Sequence, residues 1–474
     1  MEAGVFSREE GLLEHSQPSE AGVSRGLVFL AVAVLAILIV VGWKVMQNEG
    51  PTISVKNQPK GLGQNSQLTI EARDAHHNVH LISIEVLQNG RLLHRVRTGA
   101  SVRPAHWWRV GSRPASVFNW TVPLGRSIIP NLTEGQVTIG ITATNDSWGR
   151  FFRGGQSRLT LNLPVRFTPP RIEVLTTQHY INQGGCDMVV FHVSPGTTES
   201  GVEVGKYFFP SFAMKPDLPE TRLAMFAYAW DLDPSTPARI VARDDTGNQS
   251  LANFTYRVFP KKFHTDTINL DDAYIQRVIM PIMSETPSLN DQGSPLKDFL
   301  EVNGHLRQVD SERLVELSRQ TARTFLWNQS FIRLPSKTEA FFADYRTYTY
   351  GGQVVDRQTH LGFDLAGLEH MPVLAANDGK VVMAEFFGIF GNAVVIDHGC
   401  GLQTLYGHMS HLEVRPGDSV KRGQEIGRSG STGLAGGDHL HFTVLVDGLP
   451  VNPTEWWDPH WIHDRIQAKL AAYY

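Results

Sequence analysis

The stretch Gly436-Gly437-Asp438-His439-Leu440-His441-Phe442-Thr443-Val444 decides how the C-terminal part of this chain folds. Its second half is rich in β-branched and aromatic residues, which predicts a strand. Side chains alternate between the two faces of a strand, so His439 and His441 should lie on one face and can share one site. The sequence therefore predicts a strand that carries a pair of histidines.

A second pair of polar side chains, His360 and Asp364, lies upstream at another even spacing. If this segment is extended, these two side chains also share one face. Zinc accepts histidine and carboxylate ligands, and a catalytic zinc site has three protein ligands and an open fourth position. His408 is a further polar candidate. Spacing alone leaves open which of these residues bind a metal and which transfer protons.

Several separated motifs, taken together and in order, resemble the M23 (LytM/lysostaphin-type) zinc metallopeptidases. The motifs are His360-Leu361-Gly362-Phe363-Asp364-Leu365, Gly379-Lys380-Val381-Val382, Tyr406-Gly407-His408-Met409-Ser410, Val420-Lys421-Arg422-Gly423-Gln424-Glu425-Ile426-Gly427, Gly430-Ser431-Thr432-Gly433 and His439-Leu440-His441-Phe442. The resemblance implies a C-terminal, mostly antiparallel β peptidase domain over residues 331–460, with its site in a groove.

The resemblance also implies a role for each site residue. His360, Asp364 and His441 would bind Zn²⁺, while His408 and His439 would be the catalytic histidines. His439 would help to deprotonate the zinc-bound water, and His408 would stabilise the tetrahedral intermediate. One segment departs from the family pattern: Phe342-Ala343-Asp344-Tyr345-Arg346 stands where many members have Phe-Gly-x-Arg, and we expect this segment to shape the substrate groove.

The function implied by the resemblance is that of a zinc-dependent cell-wall endopeptidase that hydrolyses peptide bonds in peptidoglycan cross-links or stem peptides. The alternatives are a non-catalytic cell-envelope scaffold, an amidase-regulating LytM-type protein, or an adhesin whose N-terminal domains are the functional part. The resemblance leaves open which bond is cut. It also leaves open whether the helices before the peptidase domain cover the groove.

Residues 26–43 contain no charged side chain and lie between Arg25 and Lys44. A helix of this length, at about 1.5 Å per residue, is just long enough to cross a bilayer. We therefore predict a transmembrane helix over residues 26–46, the alternatives being a cleaved signal peptide and a buried core helix. Basic residues on both sides leave the orientation open. The resemblance implies a single-pass protein of the inner (cytoplasmic) membrane, with residues 1–25 as a cytoplasmic tail and the catalytic domain in the periplasm.

A chain of 474 residues is too long for one ordinary core, and the pattern predicts a mainly β, multidomain protein. Pro51-Thr52-Ile53-Ser54-Val55 is echoed by Pro169-Pro170-Arg171-Ile172-Glu173-Val174, which predicts two Ig-like β-sandwiches, 51–165 and 166–260. We expect these domains to space or dock a cell-wall or division partner.

Residues 262–330 read as a helical linker, in which Leu314, Leu317, Thr321 and Phe325 follow an N-cap at Asp310. Residues 461–474 read as a tail helix. The net charge of -4, with both signs mixed, gives no sign of nucleic-acid binding. The two cysteines, Cys186 and Cys400, are too few for a disulfide framework and are predicted to be free.

Overall fold

The computed structural model of the chain describes residues 25–46, 49–99, 116–147 and 153–473. Apart from Arg25, the predicted cytoplasmic tail lies outside these residues. The chain forms two compact units, Met1–Arg166 and Phe167–Tyr474.

Helix α1 (Arg25–Met46) occupies the predicted transmembrane segment. Its Arg25–Trp43 part is long and apolar enough to cross a membrane, and none of that part is buried against the other residues that the structure describes. This exposure excludes a buried core helix. The apolar side chains that this helix exposes need an apolar environment, such as a lipid bilayer.

The β part of the first unit consists of two antiparallel sheets with strand orders β1-β2-β5 and β4-β3-β6-β7. Leu68 and Ile70 from one sheet, and Ile84 and Ile139 from the other, are fully buried. The strands are β1 (Thr52–Lys56), β2 (Gln67–Asp74), β3 (Val79–Gln88), β4 (Arg91–Gly99), β5 (Ser116–Pro123), β6 (Gly135–Asn145) and β7 (Gln156–Val165). The Ig-like character predicted for residues 51–165 stays a prediction.

The second unit begins with two four-stranded sheets, ordered β13-β14-β10-β8 and β12-β11-β15-β16, and the parallel pair β9 and β17. Its strands are β8 (Ile172–Val174), β9 (His179–Asn182), β10 (Cys186–Val193), β11 (Thr197–Val204), β12 (Tyr207–Pro210), β13 (Phe212–Lys215), β14 (Leu218–Ala227), β15 (Ala238–Asp244), β16 (Gln249–Ala252) and β17 (Tyr256–Phe259). The Ig-like topology of residues 166–260 stays a prediction too.

The predicted helical linker is only partly helical. Strand β18 (Thr265–Leu270) is followed by helix α2 (Asp272–Glu285). Helix α3 (Pro295–Leu300), a π-helical turn (Glu301–Leu306) and helix α4 (Arg307–Ser318) then run on without a break. The predicted N-cap at Asp310 is wrong, because Asp310 lies in the first turn of α4 within that continuous helix. Thr321 and Phe325 lie beyond its end, so the predicted stripe stops at Leu317.

The C-terminal part is built on one large antiparallel sheet with the order β19-β22-β30-β26-β25-β24-β28, and β31 pairs with β30. Two three-stranded sheets, β18-β20-β21 and β23-β29-β27, flank it. The strands are β19 (Lys337–Ala340), β20 (Asp344–Tyr350), β21 (Gln353–His360), β22 (Phe363–Ala366), β23 (Pro372–Leu374), β24 (Gly379–Phe386), β25 (Asn392–Gly399), β26 (Leu402–Met409), β27 (His411–Leu412), β28 (Ser419–Val420), β29 (Glu425–Arg428), β30 (Leu440–Val446) and β31 (Leu449–Val451).

The chain ends in short helices, α5 (Pro453–Trp457), α6 (Pro459–Ile462) and α7 (Ala468–Tyr473), with a π-helical turn before α7. One hydrophobic core joins this part to the β strands of residues 172–259; it includes Phe226, Trp327, Phe442 and Trp456. Cys186 and Cys400 are free and buried, as predicted. The fold is mainly β, also as predicted.

Candidate metal centre

Three adjacent strands hold the predicted site residues in register. Asp364 on β22 is paired with His441 on β30, and Gly407 on β26 is paired with the same histidine from the other side. His408 follows Gly407 directly, with a φ of 61°. A positive φ is uncommon outside glycine and is often found at functional sites. The large sheet thus brings Asp364, His441 and His408 together.

His360 reaches the same place from a neighbouring sheet. It is the last residue of β21, and the chain changes sheets over Leu361 and Gly362 before β22 begins. The condition of one extended segment from His360 to Asp364 is therefore not met, although the two side chains do meet. A Cβ on Gly362 would lie 2.5 Å from His441 Nε2 and 2.6 Å from Thr443 Oγ1, so a side chain at this position would displace His441.

The three side chains predicted to bind zinc form a tight triangle. His360 Nε2 lies 2.9 Å from Asp364 Oδ1 and 3.0 Å from His441 Nδ1, and His441 Nδ1 lies 2.9 Å from Asp364 Oδ1. All three residues are buried. Neighbouring vertices of a tetrahedral zinc site with bonds of about 2 Å are roughly 3 Å apart, so the triangle fits one face of such a site.

Hydrogen bonds outside the triangle fix which nitrogen of each imidazole faces inward. His360 Nδ1 lies 2.9 Å from the Phe341 carbonyl oxygen and must donate to it. The Thr443 hydroxyl donates to the Leu361 carbonyl at 3.0 Å and accepts from His441 Nε2 at 3.0 Å. Each ring therefore directs an unprotonated nitrogen at the centre, which is the form that binds a metal.

The Asp364 carboxylate is held in its charged form. Burial would raise its pKa, but whenever the surrounding rings carry a proton on the nitrogen that faces Asp364, the charge and hydrogen bond of His360, together with hydrogen bonds from His439 and His441, hold this pKa well below its ordinary value. Arg346 donates to Asp364 Oδ2 at 3.1 Å from the outer side. Arg346 belongs to the segment that was expected to shape the groove, and here it orients a site carboxylate.

The predicted catalytic histidines flank the triangle. His408 Nδ1 donates to the Thr432 carbonyl at 2.8 Å, and His439 Nδ1 donates to the Gly437 carbonyl at 2.8 Å. Their ring centroids are 4.8 Å apart, and His439 Nε2 lies 3.5 Å from Asp364 Oδ1. Because Nδ1 carries the proton in both neutral rings, each Nε2 is a proton acceptor.

The surroundings shift the pKa values of the site histidines in different directions. Burial and the neighbouring His439 and His441 lower the pKa of His408 well below its ordinary value. Burial also lowers the pKa of His439, but in the protonated ring Nε2–H donates to Asp364, and this hydrogen bond together with the negative charge of Asp364 outweighs burial and raises the pKa overall. Burial lowers the pKa of His441 to about 4, so this ring is neutral at physiological pH.

The other histidines in this part of the sequence lie away from the centre. His398 is buried and bonded to the Asp378 carbonyl and to Thr404, and burial lowers its pKa to about 4. His370 and His411 are exposed. Sequence reasoning missed the supporting roles of Thr443, Arg346 and the backbone carbonyls. The period-two spacing of His441 and Thr443 was the available signal.

Comparison with known proteins identifies the domain that carries this centre. Residues 358–453 match the model of peptidase family M23. The match includes all five predicted site residues, His360, Asp364, His408, His439 and His441. The chain therefore carries an M23 peptidase domain at its C-terminal end, in agreement with the resemblance.

Two curated relatives and one solved structure illustrate the similarity. Peptidoglycan DD-endopeptidase ShyA of Vibrio cholerae is 46% identical over 93 residues, which are 20% of this chain and 22% of the relative. DD-carboxypeptidase/endopeptidase Mpg of Neisseria meningitidis is 43% identical over 94 residues, 20% of this chain and 22% of the relative. The catalytic domain of the antimicrobial peptidase lysostaphin from Staphylococcus simulans is 29% identical, with a TM-score of 0.23, over 26% of this chain and 92% of that domain. The chain thus spans about a fifth of the length of these curated relatives.

Proposed function

We propose that this chain is a zinc-dependent endopeptidase that hydrolyses peptide bonds in peptidoglycan cross-links or stem peptides. The observation that carries the proposal is the triangle of His360, Asp364 and His441, in which both imidazoles direct an unprotonated nitrogen at one point. Two nitrogens and one carboxylate oxygen are a donor set that suits zinc. Three protein ligands would leave the fourth coordination position open for water or substrate.

A bound zinc ion would polarise the scissile carbonyl and make a water molecule nucleophilic near neutral pH. His439 is placed to accept the proton of that water, because its Nε2 faces the site and its Nδ1–H is committed to Gly437. As the C–O bond forms and the C–N bond breaks, His439 returns the proton to the leaving amine. Arg346 keeps Asp364 in place throughout.

His408 has the second role, stabilisation of negative charge on the carbonyl oxygen. Its neutral ring has no N–H on the side of the site, because Nδ1–H is bound to Thr432. His408 must therefore carry a second proton when it supports that oxygen, and the negative charge that develops on the oxygen must offset the burial that lowers the pKa of this ring. This requirement couples the two histidines. When His439 takes a proton from water, it becomes positively charged, and this changes the electrostatic environment of His408.

The substrate is proposed from the relatives. ShyA is named a peptidoglycan DD-endopeptidase, and Mpg a DD-carboxypeptidase/endopeptidase. Because the peptidase-family match of this chain, residues 358–453, includes the residues of the centre, we assign the same class of substrate to this chain. A pure scaffold or amidase regulator would not need the complete triangle together with its outer hydrogen bonds.

The cellular location follows from the substrate and from helix α1. We propose a single-pass protein of the inner membrane, anchored by Arg25–Met46, with its peptidase domain in the periplasm. Membrane fractionation and protease treatment of intact spheroplasts test this location. The chain should sediment with the inner membrane and be degraded by external protease. A soluble chain or a protected peptidase domain would contradict the proposed location.

Metal content and turnover test the enzymatic proposal together. The purified full chain should contain about one zinc per molecule and release cleaved muropeptides from isolated sacculi. The His441→Ala variant should lose both properties. The matched control is His411→Ala, because His411 is exposed in the same domain and should affect neither. A wild-type chain that binds no metal and cleaves nothing would refute the proposal and favour the scaffold.

A further inference from the structure

A cavity of about 420 Å³ lies between helix α2 and the loop 431–437. This loop supplies the carbonyls of Thr432 and Gly437 that accept the hydrogen bonds from His408 and His439. The cavity therefore adjoins the proposed catalytic histidines. Helix α2 lies outside residues 358–453, so one wall of the cavity comes from the part of this chain that precedes its M23 match.

The cavity is charged differently at its two ends. Arg277 and Glu285 both line it and lie on α2, separated by roughly 12 Å along a helix with a rise of about 1.5 Å per residue. The Arg277 guanidinium lies 5.9 Å from the centroid of the Tyr274 ring, and none of the ion pairs among the described residues includes Arg277. A guanidinium binds carboxylates through paired hydrogen bonds, whereas Glu285 repels them.

The backbone around the cavity is open to hydrogen bonding. Pro281 has no N–H, so the carbonyl of Arg277, four residues earlier, lacks its regular helical donor. On the opposite wall, Gly436 and Gly437 are exposed, and a Cβ on either would meet nothing within 4 Å. Neither glycine has a positive φ or a steric need, so the fold itself does not require them. They leave space for a second backbone to approach.

We propose that this cavity is a substrate subsite that binds an extended peptide segment with a free terminal carboxylate held by Arg277. The inference rests on the proposed peptidase function. The guanidinium fixes the carboxylate, and Glu285 excludes the reverse orientation. The glycine backbone lies alongside the peptide. Arg277 is thus a specificity-determining residue that takes no part in proton transfer.

Peptide binding without turnover tests this inference. The probes are acetyl-L-lysyl-D-alanyl-D-alanine and its C-terminal carboxamide, titrated calorimetrically into the full chain in detergent micelles with a chelator present. Wild type should bind the carboxylate about tenfold or more tightly than the carboxamide, as expected for hydrogen bonds to a charged group. In Arg277→Gln this ratio should fall to about one, while carboxamide binding changes less than about twofold.

The matched control is Lys297→Gln, which removes one positive charge from an exposed side chain of α3 outside the cavity. It should keep the wild-type ratio. An Arg277→Gln chain that keeps the preference, or a wild type without one, would overturn the subsite. Cleavage of sacculi by metal-loaded wild type is measured separately. Cleavage without a carboxylate preference overturns only the subsite, and a preference without cleavage overturns only the proposed function.

Discussion

The two histidines of the His439-Leu440-His441 stretch differ in their outer hydrogen bonds. His441 presents Nδ1 to the centre and donates to Thr443 through Nε2, whereas His439 presents Nε2 and donates to the Gly437 carbonyl through Nδ1. Strand periodicity correctly predicted that both side chains lie on one side. Periodicity could not predict which of the two histidines binds the metal. The contact that distinguishes them, the hydrogen bond from Thr443 to the Leu361 carbonyl, joins residues that are distant in sequence.

Thr443 offers a test of how that outer hydrogen bond serves the proposed ligand. Thr443→Val conserves the volume but leaves His441 Nε2 without an acceptor, so the ring can turn or change its tautomer. We expect zinc affinity, measured by chelator competition, to fall by about 10- to 100-fold. Thr443→Ser retains the hydroxyl and should stay near wild type. Equal affinities for wild type and Thr443→Val would show that the threonine does not orient His441.

At the scale of single elements, helix α4 supports the centre from a distance. The buried Asp310 carboxylate accepts the backbone N–H of Ile389 at 2.8 Å, in the 3₁₀ turn Gly388–Phe390. Phe390 of that turn lies 5.5 Å from the His441 ring. The carboxylate was predicted to cap a helix. It instead caps a turn in the peptidase domain. Asp310 and Ile389 are 79 residues apart in the chain, so no local sequence pattern reveals this hydrogen bond.

Removal of this carboxylate should loosen the turn. Asp310→Ala leaves the Ile389 N–H buried without a partner, which costs about 1–3 kcal/mol. Asp310→Asn retains an acceptor oxygen of nearly the same shape and should cost less. Urea unfolding of the full chain in micelles, followed by tryptophan fluorescence, compares the variants. If the two substitutions destabilise the chain equally, then the hydrogen bond to Ile389 contributes nothing.

At the scale of the whole molecule, the peptidase domain and the β strands of residues 172–259 share one core. The strand pattern that ends in Phe442-Thr443-Val444 correctly predicted β30 of the peptidase sheet, because alternation is a local property. The shared core was not predictable in this way. It joins side chains that are far apart in sequence, as do the polar contacts of Asn182 with Glu455 and of Asp187 with Lys469. The proposed docking of a cell-wall or division partner by the Ig-like regions stays a prediction.

A buried ion pair links the final helix, α7, to strand β10. Lys469 donates to the Asp187 carboxylate and, at 2.8 Å, to the Met188 carbonyl. Lys469→Met leaves Asp187 buried without its countercharge and should destabilise the chain by about 3–5 kcal/mol in urea unfolding. The double variant Lys469→Met/Asp187→Asn removes both charges and should recover much of that loss. Additive losses in the double variant would argue against a coupled pair.

Glu455 makes the stability of this shared core depend on pH. It is buried, accepts from Asn182 Nδ2 at 2.8 Å and from the Cys186 N–H at 3.1 Å, and burial raises its pKa to about 7 from a model-compound value of 4.5. Between these two pH values the unfolded chain has lost the proton that the folded chain retains. Stability therefore falls as pH rises through this window, by about 3 kcal/mol for a shift of this size.

Glu455→Gln cannot ionise and isolates this contribution from the other titrating groups. The quantity to measure is the unfolding free energy of wild type minus that of Glu455→Gln, from urea titrations at several pH values between 4 and 8. This difference should be most favourable to wild type below about pH 4.5, decline as the pH rises, and level off above about pH 7. Buried histidines such as His398 act in the opposite direction below pH 6.5, but they are present in both chains and cancel. A difference that stays constant over the window would mean that the Asn182 and Cys186 donors keep Glu455 ionised in the fold, with a pKa near that of the unfolded chain.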